Sequence, residues 1–228
     1  MLLGHLNQNT TGIKKTMIIS IEGIDGAGKN TLVTALKERF DAHTIAFPRY
    51  RDSLPAQLGQ AALYGKMGDL TDSIYGMATL FALDRHGIKE EIAAYSSGGE
   101  KTDKLLLLDR YSASNAAYSS ARAENDELFA WVENLEFKTL GLPRPDLQLL
   151  LGTAPQLAQQ RAQYREATDD TRVRDHYESD SGLQERTFAA YVRLAQLDWA
   201  SPWWIIQPTQ DVAQVASEIA HWAGKRLN

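Results

Sequence analysis

Residues 16–40 read TMIISIEGIDGAGKNTLVTALKERF. Met17–Ile21 is a short apolar run. It leads into Gly23-Ile24-Asp25-Gly26-Ala27-Gly28-Lys29-Asn30-Thr31, and beyond that Leu32, Val33, Leu36 and Phe40 recur close to helical spacing. Strand, glycine loop, lysine and helix in this order form a phosphate-binding P-loop. Glycines let the backbone turn tightly so that its N–H groups point inward. The positive end of the following helix adds attraction for an anion, and Lys29 supplies a mobile point charge for the outer phosphates of a nucleotide. The bland alternative is a glycine turn in front of an ordinary helix. One position departs from the motif. The slot after the lysine usually holds Ser or Thr, whose hydroxyl binds Mg²⁺; here it is Asn30, and the hydroxyl comes one residue later at Thr31. Either the metal is held elsewhere or the loop binds phosphate somewhat differently.

A chain of 228 residues is long enough for one α/β domain with a proper core. Its hydrophobic content of 43% and charged content of 23% are ordinary for a globular protein. The net charge of −5 argues against bulk nucleic-acid binding, so an anion site has to be a local basic pocket. There are no cysteines, which excludes disulfides and cysteine-ligated metals and fits a reducing compartment; the cytoplasm is the expected location. No apolar run approaches the roughly 18 residues of a membrane span, and no membrane partner is expected. Residues 1–16 (MLLGHLNQNTTGIKKT) have no signal-peptide core and read as a polar N-terminal extension.

Further along, strands alternate with helices. Thr44–Phe47, Leu105–Leu108, Leu147–Leu151 and Trp203–Ile206 read as strands, the Leu105 run being continuous enough for burial on both faces. Helical patterns cover about 54–64, 72–95, 112–120, 125–140, 155–166, 182–198 and 211–223. The expectation is an α/β, three-layer fold: a five-stranded parallel sheet with helices on both faces. Residues 17–228 are expected to form a single domain. Ligands of such sheets bind beyond the carboxyl ends of the strands, where the P-loop, Phe47-Pro48-Arg49-Tyr50 and Asp109-Arg110-Tyr111 all fall. Segment 166–181 (EATDDTRVRDHYESDS) is polar and charged and reads as a short mobile lid.

Several residues in these places have functional readings. Asp109, at the end of a buried strand beside a P-loop, can hold Mg²⁺ or a water on it, or merely cap the next helix. Arg110 can fork onto a phosphate or form a surface salt bridge. Asn115 and Tyr118, three apart, share a helix face. Phe47 and Arg85 say little on their own, being a core aromatic and a helix-face arginine. Arg172 and Arg174 lie on the lid, with Arg161 and Arg165 leading into it. These four arginines suit a lid that closes on a transferring phosphoryl group, or a solvated loop neutralised by Asp169, Asp170 and Asp175.

Taken together, GIDGAGKNT at 23–31, FPRY at 47–50, ATLFALDRHG at 78–87, LLLLDRYSASNAAYSSAR at 105–122, LEFKTLGLPRPD at 135–146 and TRVRDHYESD at 171–180 resemble the thymidylate kinase family of P-loop nucleoside monophosphate kinases. The likeness runs from Met17 to about Trp222. It implies Mg²⁺-dependent transfer of a phosphoryl group from ATP to dTMP, giving dTDP and ADP. Gly23, Asp25, Gly26, Ala27, Gly28, Lys29, Asn30 and Thr31 would hold ATP. Asp25 would lie between the two nucleotides near the metal. Phe47 would stack on thymine, Arg85 and Asn115 would hydrogen-bond its edge, and Tyr118 would close the sugar pocket against a 2′-hydroxyl. Tyr50 and Arg110 would hold the acceptor phosphate, with Asp175 and Tyr177 closing over it. Arg172 and Arg174 would reach the transferring phosphoryl, and Asp109 and Glu178 would help hold Mg²⁺. The resemblance also implies a homodimer, for which helix 72–95 and the Trp131–Phe137 region are the candidate surfaces. Asn30 brings neither charge nor hydroxyl, so charge stabilisation is expected to have shifted to the lid arginines. The competing readings are a P-loop kinase with another nucleoside monophosphate as acceptor, and a nucleotide-binding protein in which Asn30 marks lost catalysis.

Overall fold

The computed structural model describes residues 16–101, 104–168, 177 and 181–225. The expected extension 1–16, apart from Thr16, and most of the expected lid 166–181 lie outside them. Among the described residues five strands form one parallel sheet. They are β1 (Met17–Glu22), β2 (His43–Ala46), β3 (Leu105–Asp109), β4 (Leu147–Leu151) and β5 (Trp203–Ile206), in the order β2-β3-β1-β4-β5. β1 is therefore central, and the loop it feeds opens between β3 and β4. The register sets Ile21 against Asp109 and Ala46 against the same Asp109, so three strand ends finish level.

The leucine run of β3 shows why the sheet needs cover on both sides. Leu105 and Leu107 join Ile19 and Ile21 in one core cluster, while the alternate residues Leu106 and Leu108 join Ile18, Ile45 and Ile92 in another. The first cluster is covered by α1 (Lys29–Phe40), α5 (Ser112–Ala123), α8 (Ser181–Gln196) and α9 (Val212–Lys225), through Leu36, Ala116, Tyr191 and Ile219. The remaining helices are α2 (Leu54–Leu63), α3 (Ile74–His86), α4 (Lys89–Ala93), α6 (Glu127–Glu133) and α7 (Pro155–Thr168).

Two expected helices are divided. The stretch 72–95 begins at Ser73, whose side chain accepts from the Gly76 N–H at 3.0 Å, and α3 ends at Gly87. There the chain tightens, with Ile88 N–H donating to Arg85 O at 3.2 Å, before α4 restarts. Glycine is a poor helix former and gives a natural break. The stretch 125–140 continues α6 as a wider π turn, Asn134–Thr139, in which Leu140 N–H reaches back to Leu135 O at 2.9 Å. This extra residue per turn rotates Glu136 into the interior, where it is fully buried. β2 starts one residue earlier than the apolar pattern suggests and stops before Phe47, which is joined to Pro48 by a cis peptide.

Candidate active site

The P-loop is built on close approach. Gly26 has φ +84°, and a Cβ there would lie 2.0 Å from the carbonyl oxygen of Ala158 in α7, so no other residue fits. Gly28, at φ +100°, is the N-cap of α1 and turns the chain into the helix. Thr153 Oγ donates to Ala27 O at 2.9 Å and ties the loop to the end of β4. Lys29 Nζ lies over the loop, donating to the carbonyls of Gly23 and Ile24, both at 3.1 Å. Burial, then repulsion from Arg110, brings the Lys29 pKa down to about 8. A Cβ built on Gly28 would meet Arg161 Nη1 at 3.8 Å, which places the guanidinium at the helix start beside the loop. Asn30 and Thr31 are exposed on the first turn of α1.

Facing the loop, Asp25 and Arg110 pair across the strand ends. Arg110 Nη2 donates to Asp25 Oδ1 at 2.5 Å, and Tyr118 Oη donates to Asp25 Oδ2 at 2.8 Å. Burial alone would raise the Asp25 pKa; Arg110 and then Lys29 outweigh it and hold the carboxyl well below the usual carboxylate range. Arg110 has φ +66°, a left-handed conformation uncommon outside glycine. Its guanidinium lies 5.5 Å from the Tyr118 ring centre. Tyr177 stacks on Tyr118 with ring centres 6.1 Å apart, and Arg122 Nη1 donates to its hydroxyl at 2.5 Å.

Beneath this pair lies a buried layer that the sequence did not single out. Glu22, at the end of β1, accepts from Tyr111 N–H at 2.9 Å and from Ser114 Oγ at 2.7 Å. Ser114 and Tyr191 share a hydrogen bond of 2.7 Å, and Arg110 Nη1 lies 3.4 Å from both hydroxyls. Burial pushes the Glu22 carboxyl up, partly offset by Ser114 and Arg110. Glu22 is a lone carboxylate ending an apolar strand, which is the one signal that marked it. Tyr191 sits in an ordinary helical pattern, and nothing in the sequence distinguished it.

The residues expected at a base pocket fall into two groups. Arg85 and Asn115 are both buried and meet at Glu136. Phe47 is buried against Tyr111, ring centres 6.0 Å apart, with Arg49 Cζ 5.8 Å over its ring. Tyr50 is half-buried in the turn after β2. Arg172, Arg174, Asp175 and Glu178 lie outside the described residues.

As to metal, no cluster of three or more His, Asp or Glu side chains arranged for an ion occurs among the described residues. Both Asp25 oxygens are engaged. Asp109 Oδ1, by contrast, is buried without a hydrogen-bond partner among the described residues, level with the end of β1. That donor set fits a hydrated ion held largely by phosphate oxygens better than a closed protein cage.

A parallel sheet whose central strand feeds a glycine loop and lysine, with a carboxylate and an arginine at the neighbouring strand end, defines a P-loop nucleotide-binding enzyme. The thymidylate kinase family model matches residues 21–219. Thymidylate kinase from Mycobacterium tuberculosis (strain CDC 1551 / Oshkosh) is 45% identical over 212 residues, covering 90% of this chain and 97% of that protein. Thymidylate kinase from Paraburkholderia phytofirmans is 28% identical over 215 residues, covering 88% and 94%. The solved thymidylate kinase from Candida albicans superposes with a TM-score of 0.68 at 20% identity, covering 93% of this chain and 92% of its own; it supports the fold. The chain belongs to the thymidylate kinase family.

Proposed function

We propose that this protein transfers the γ-phosphoryl group of ATP to dTMP, giving ADP and dTDP. Membership of the thymidylate kinase family supports the reaction. The single structural observation that carries it is the convergence of Lys29, Asp25 and Arg110 at the mouth of the P-loop, where Arg110 is hydrogen-bonded to Asp25 and Lys29 is close enough to both to be felt electrostatically.

In the reaction a dTMP phosphate oxygen attacks the γ-phosphorus. The bond from that phosphorus to the β,γ-bridging oxygen breaks, and ADP leaves with the electron pair. The attacking oxygen is already anionic, so no general base is needed, and catalysis rests on position and charge. The P-loop amides and Lys29 hold the donor phosphates. Arg110 is kept in place by Asp25 and aimed at the acceptor phosphate, which Tyr50 also contacts. Tyr118, tied to Asp25, walls the sugar and leaves no room for a 2′-hydroxyl. Arg85 and Asn115 hydrogen-bond the thymine edge, and Phe47 lines the base pocket. Arg172 and Arg174 come from lid 166–181 to the transferring group, with Asp175 and Tyr177 closing the acceptor side.

Mg²⁺ is the expected cofactor; Asp109, through water, with Asp25 and Glu178, would help hold it, and it would neutralise charge on the ATP phosphates. Residues 17–228 act as one kinase domain in this reading. The enzyme works in the cytoplasm as a homodimer, without nucleic-acid or membrane partners. The net charge of −5 supports the former absence; no helix among the described residues is long and apolar enough to cross a membrane. Tyr75, half exposed, packs edge-on to Trp131 with ring centres 4.8 Å apart, joining the two candidate dimer surfaces into one patch.

The test is ATP consumption with and without dTMP. A kinase turns over only with its acceptor; ATP binding with no dTMP-dependent ADP release contradicts the proposal and favours a binding-only protein.

A further inference from the structure

Glu136 lies outside the residues assigned a role above, yet it is fully buried, and among the described residues its carboxylate takes hydrogen bonds from three side chains. Arg85 reaches it with Nε at 2.8 Å and Nη2 at 2.6 Å, Ser112 Oγ at 2.5 Å, and Asn115 Nδ2 at 2.7 Å. Two of these donors, Arg85 and Asn115, are the residues proposed to read the base.

Those contacts fix the polarity of both. Asn115 Nδ2 carries two hydrogens; one goes to Glu136 Oε1 and the other to Ala78 O at 2.9 Å. Both partners are acceptors. Flipping the carboxamide would set its oxygen against two oxygens, so the orientation is dictated by chemistry. The atom left for a ligand is Asn115 Oδ1, which only accepts. Arg85 gives its Nε hydrogen and one Nη2 hydrogen to Glu136, and its remaining N–H groups only donate. The two side chains therefore offer one acceptor and one donor surface. A 4-keto pyrimidine, with an N3–H donor and an O4 acceptor, complements both. A 4-amino pyrimidine reverses both, with an acceptor at N3 and a donor at the 4-position.

We infer that Glu136 is a specificity-determining positioning residue: by holding Asn115 and Arg85 in one polarity it selects 4-keto over 4-amino pyrimidine nucleotides, without touching the nucleotide. The inference rests on the reading of Arg85 and Asn115 as base contacts. The sequence hid it because the π turn breaks the helical period around Leu135-Glu136-Phe137.

The experiment measures Kd for dTMP and for dCMP in the wild type, Glu136→Gln and Asn115→Ala, with thermal melting as a control. Glu136→Gln replaces one carboxylate oxygen with a donor: Arg85, which bonds both oxygens, loses one partner whichever way the amide sits, and Asn115 loses its partner as well when the nitrogen takes the Oε1 position. The dTMP preference narrows by about tenfold or more, mostly through weaker dTMP binding, while the KM for ATP is unchanged. A merely structural Glu136 lowers the melting temperature and weakens both ligands equally, which overturns the inference. If Asn115→Ala narrows the preference and Glu136→Gln does not, the inference fails and the base reading stands. If Asn115→Ala also leaves it unchanged, the base reading itself falls. Should Glu136→Gln not fold, the wild-type enzyme with ¹⁵N-labelled asparagine decides. Slow solvent exchange of both Asn115 carboxamide protons before nucleotide is added supports the inference, and exchange as fast as an exposed asparagine overturns it.

Discussion

Arg110 Nη2 sits 2.5 Å from Asp25 Oδ1, so the residue expected to grip the acceptor phosphate is bolted to the residue in the middle of the donor loop. Asp25 Oδ2 also takes the Tyr118 hydroxyl, and one carboxylate thus ties both Arg110 and Tyr118 to the P-loop. Their side chains are 14% and 24% exposed, so the pair is partly shielded from solvent. Replacing Arg110 with Ala leaves Asp25 with the Tyr118 hydrogen bond and the nearby charge of Lys29. We expect a loss of about 1–3 kcal/mol in stability, discounted from a fully buried pair, together with a large rise in KM for dTMP and little change in KM for ATP. Urea melts and separate titrations of the two substrates check this.

Lys29 makes the donor site sensitive to mild alkali. Burial and then Arg110 lower its pKa to about 8 from the ordinary 10.5. As pH rises through that value the free enzyme loses the ammonium charge, so kcat/KM for ATP falls above about pH 8. Bound triphosphate raises the pKa again, and kcat holds to higher pH. For stability the sign is opposite. Between about pH 8 and 10.5 the unfolded chain keeps the proton and the folded chain does not, so the free enzyme gains stability across that window. Lys29→Arg should remove the alkaline limb from kcat/KM, and a profile identical to the wild type would contradict the assignment.

Tyr191 supports Arg110 from below. Its hydroxyl is 2.7 Å from Ser114 Oγ and 3.4 Å from Arg110 Nη1. Tyr191→Phe removes that hydroxyl and leaves its partners short of a hydrogen bond, costing about 1 kcal/mol. Because Arg110 keeps Asp25, we expect KM for dTMP to rise about three- to tenfold with kcat nearly unchanged. Equal falls in kcat and kcat/KM would point to a role confined to the transition state.

Gly26→Ala tests the loop geometry. The new Cβ would overlap the Ala158 carbonyl, and its positive φ disfavours any side chain. A destabilisation of at least about 1–3 kcal/mol follows, with weaker ATP binding because α7 must move away from the loop. Gly65, also at positive φ but with open space around it, should tolerate Ala better.

Continuous apolar runs made the sheet legible. Leu105–Leu108 is apolar throughout and buried on both faces, and Leu147–Leu151 is interrupted only by Gln148, which is itself buried and donates to Trp199 O, so both segments read as strands covered on two sides. The P-loop and Asp109-Arg110 followed from their position after such runs. The stretch 72–95 reads as one helix because an apolar residue, Ile88, resumes directly after Gly87, whereas the poor helix propensity of that glycine ends α3 and lets α4 restart. Glu136 escaped notice for a related reason: helical spacing gives the wrong face when a π turn intervenes. Glu22, Ser114 and Tyr191 come together from β1, α5 and α8, elements far apart in sequence, and no local pattern announces such a meeting. Arg85 and Asn115 took their meaning from the family motifs, not from spacing.

The central claim is tested most directly by a coupled ADP-release assay with ATP and Mg²⁺ across dTMP, dUMP, dCMP, dGMP, dAMP and UMP. Strong turnover with dTMP, weaker with dUMP and negligible with UMP is the result this account predicts. ATP binding without turnover on any acceptor would contradict it, and would mark Asn30 as the sign of a loop that binds without catalysing.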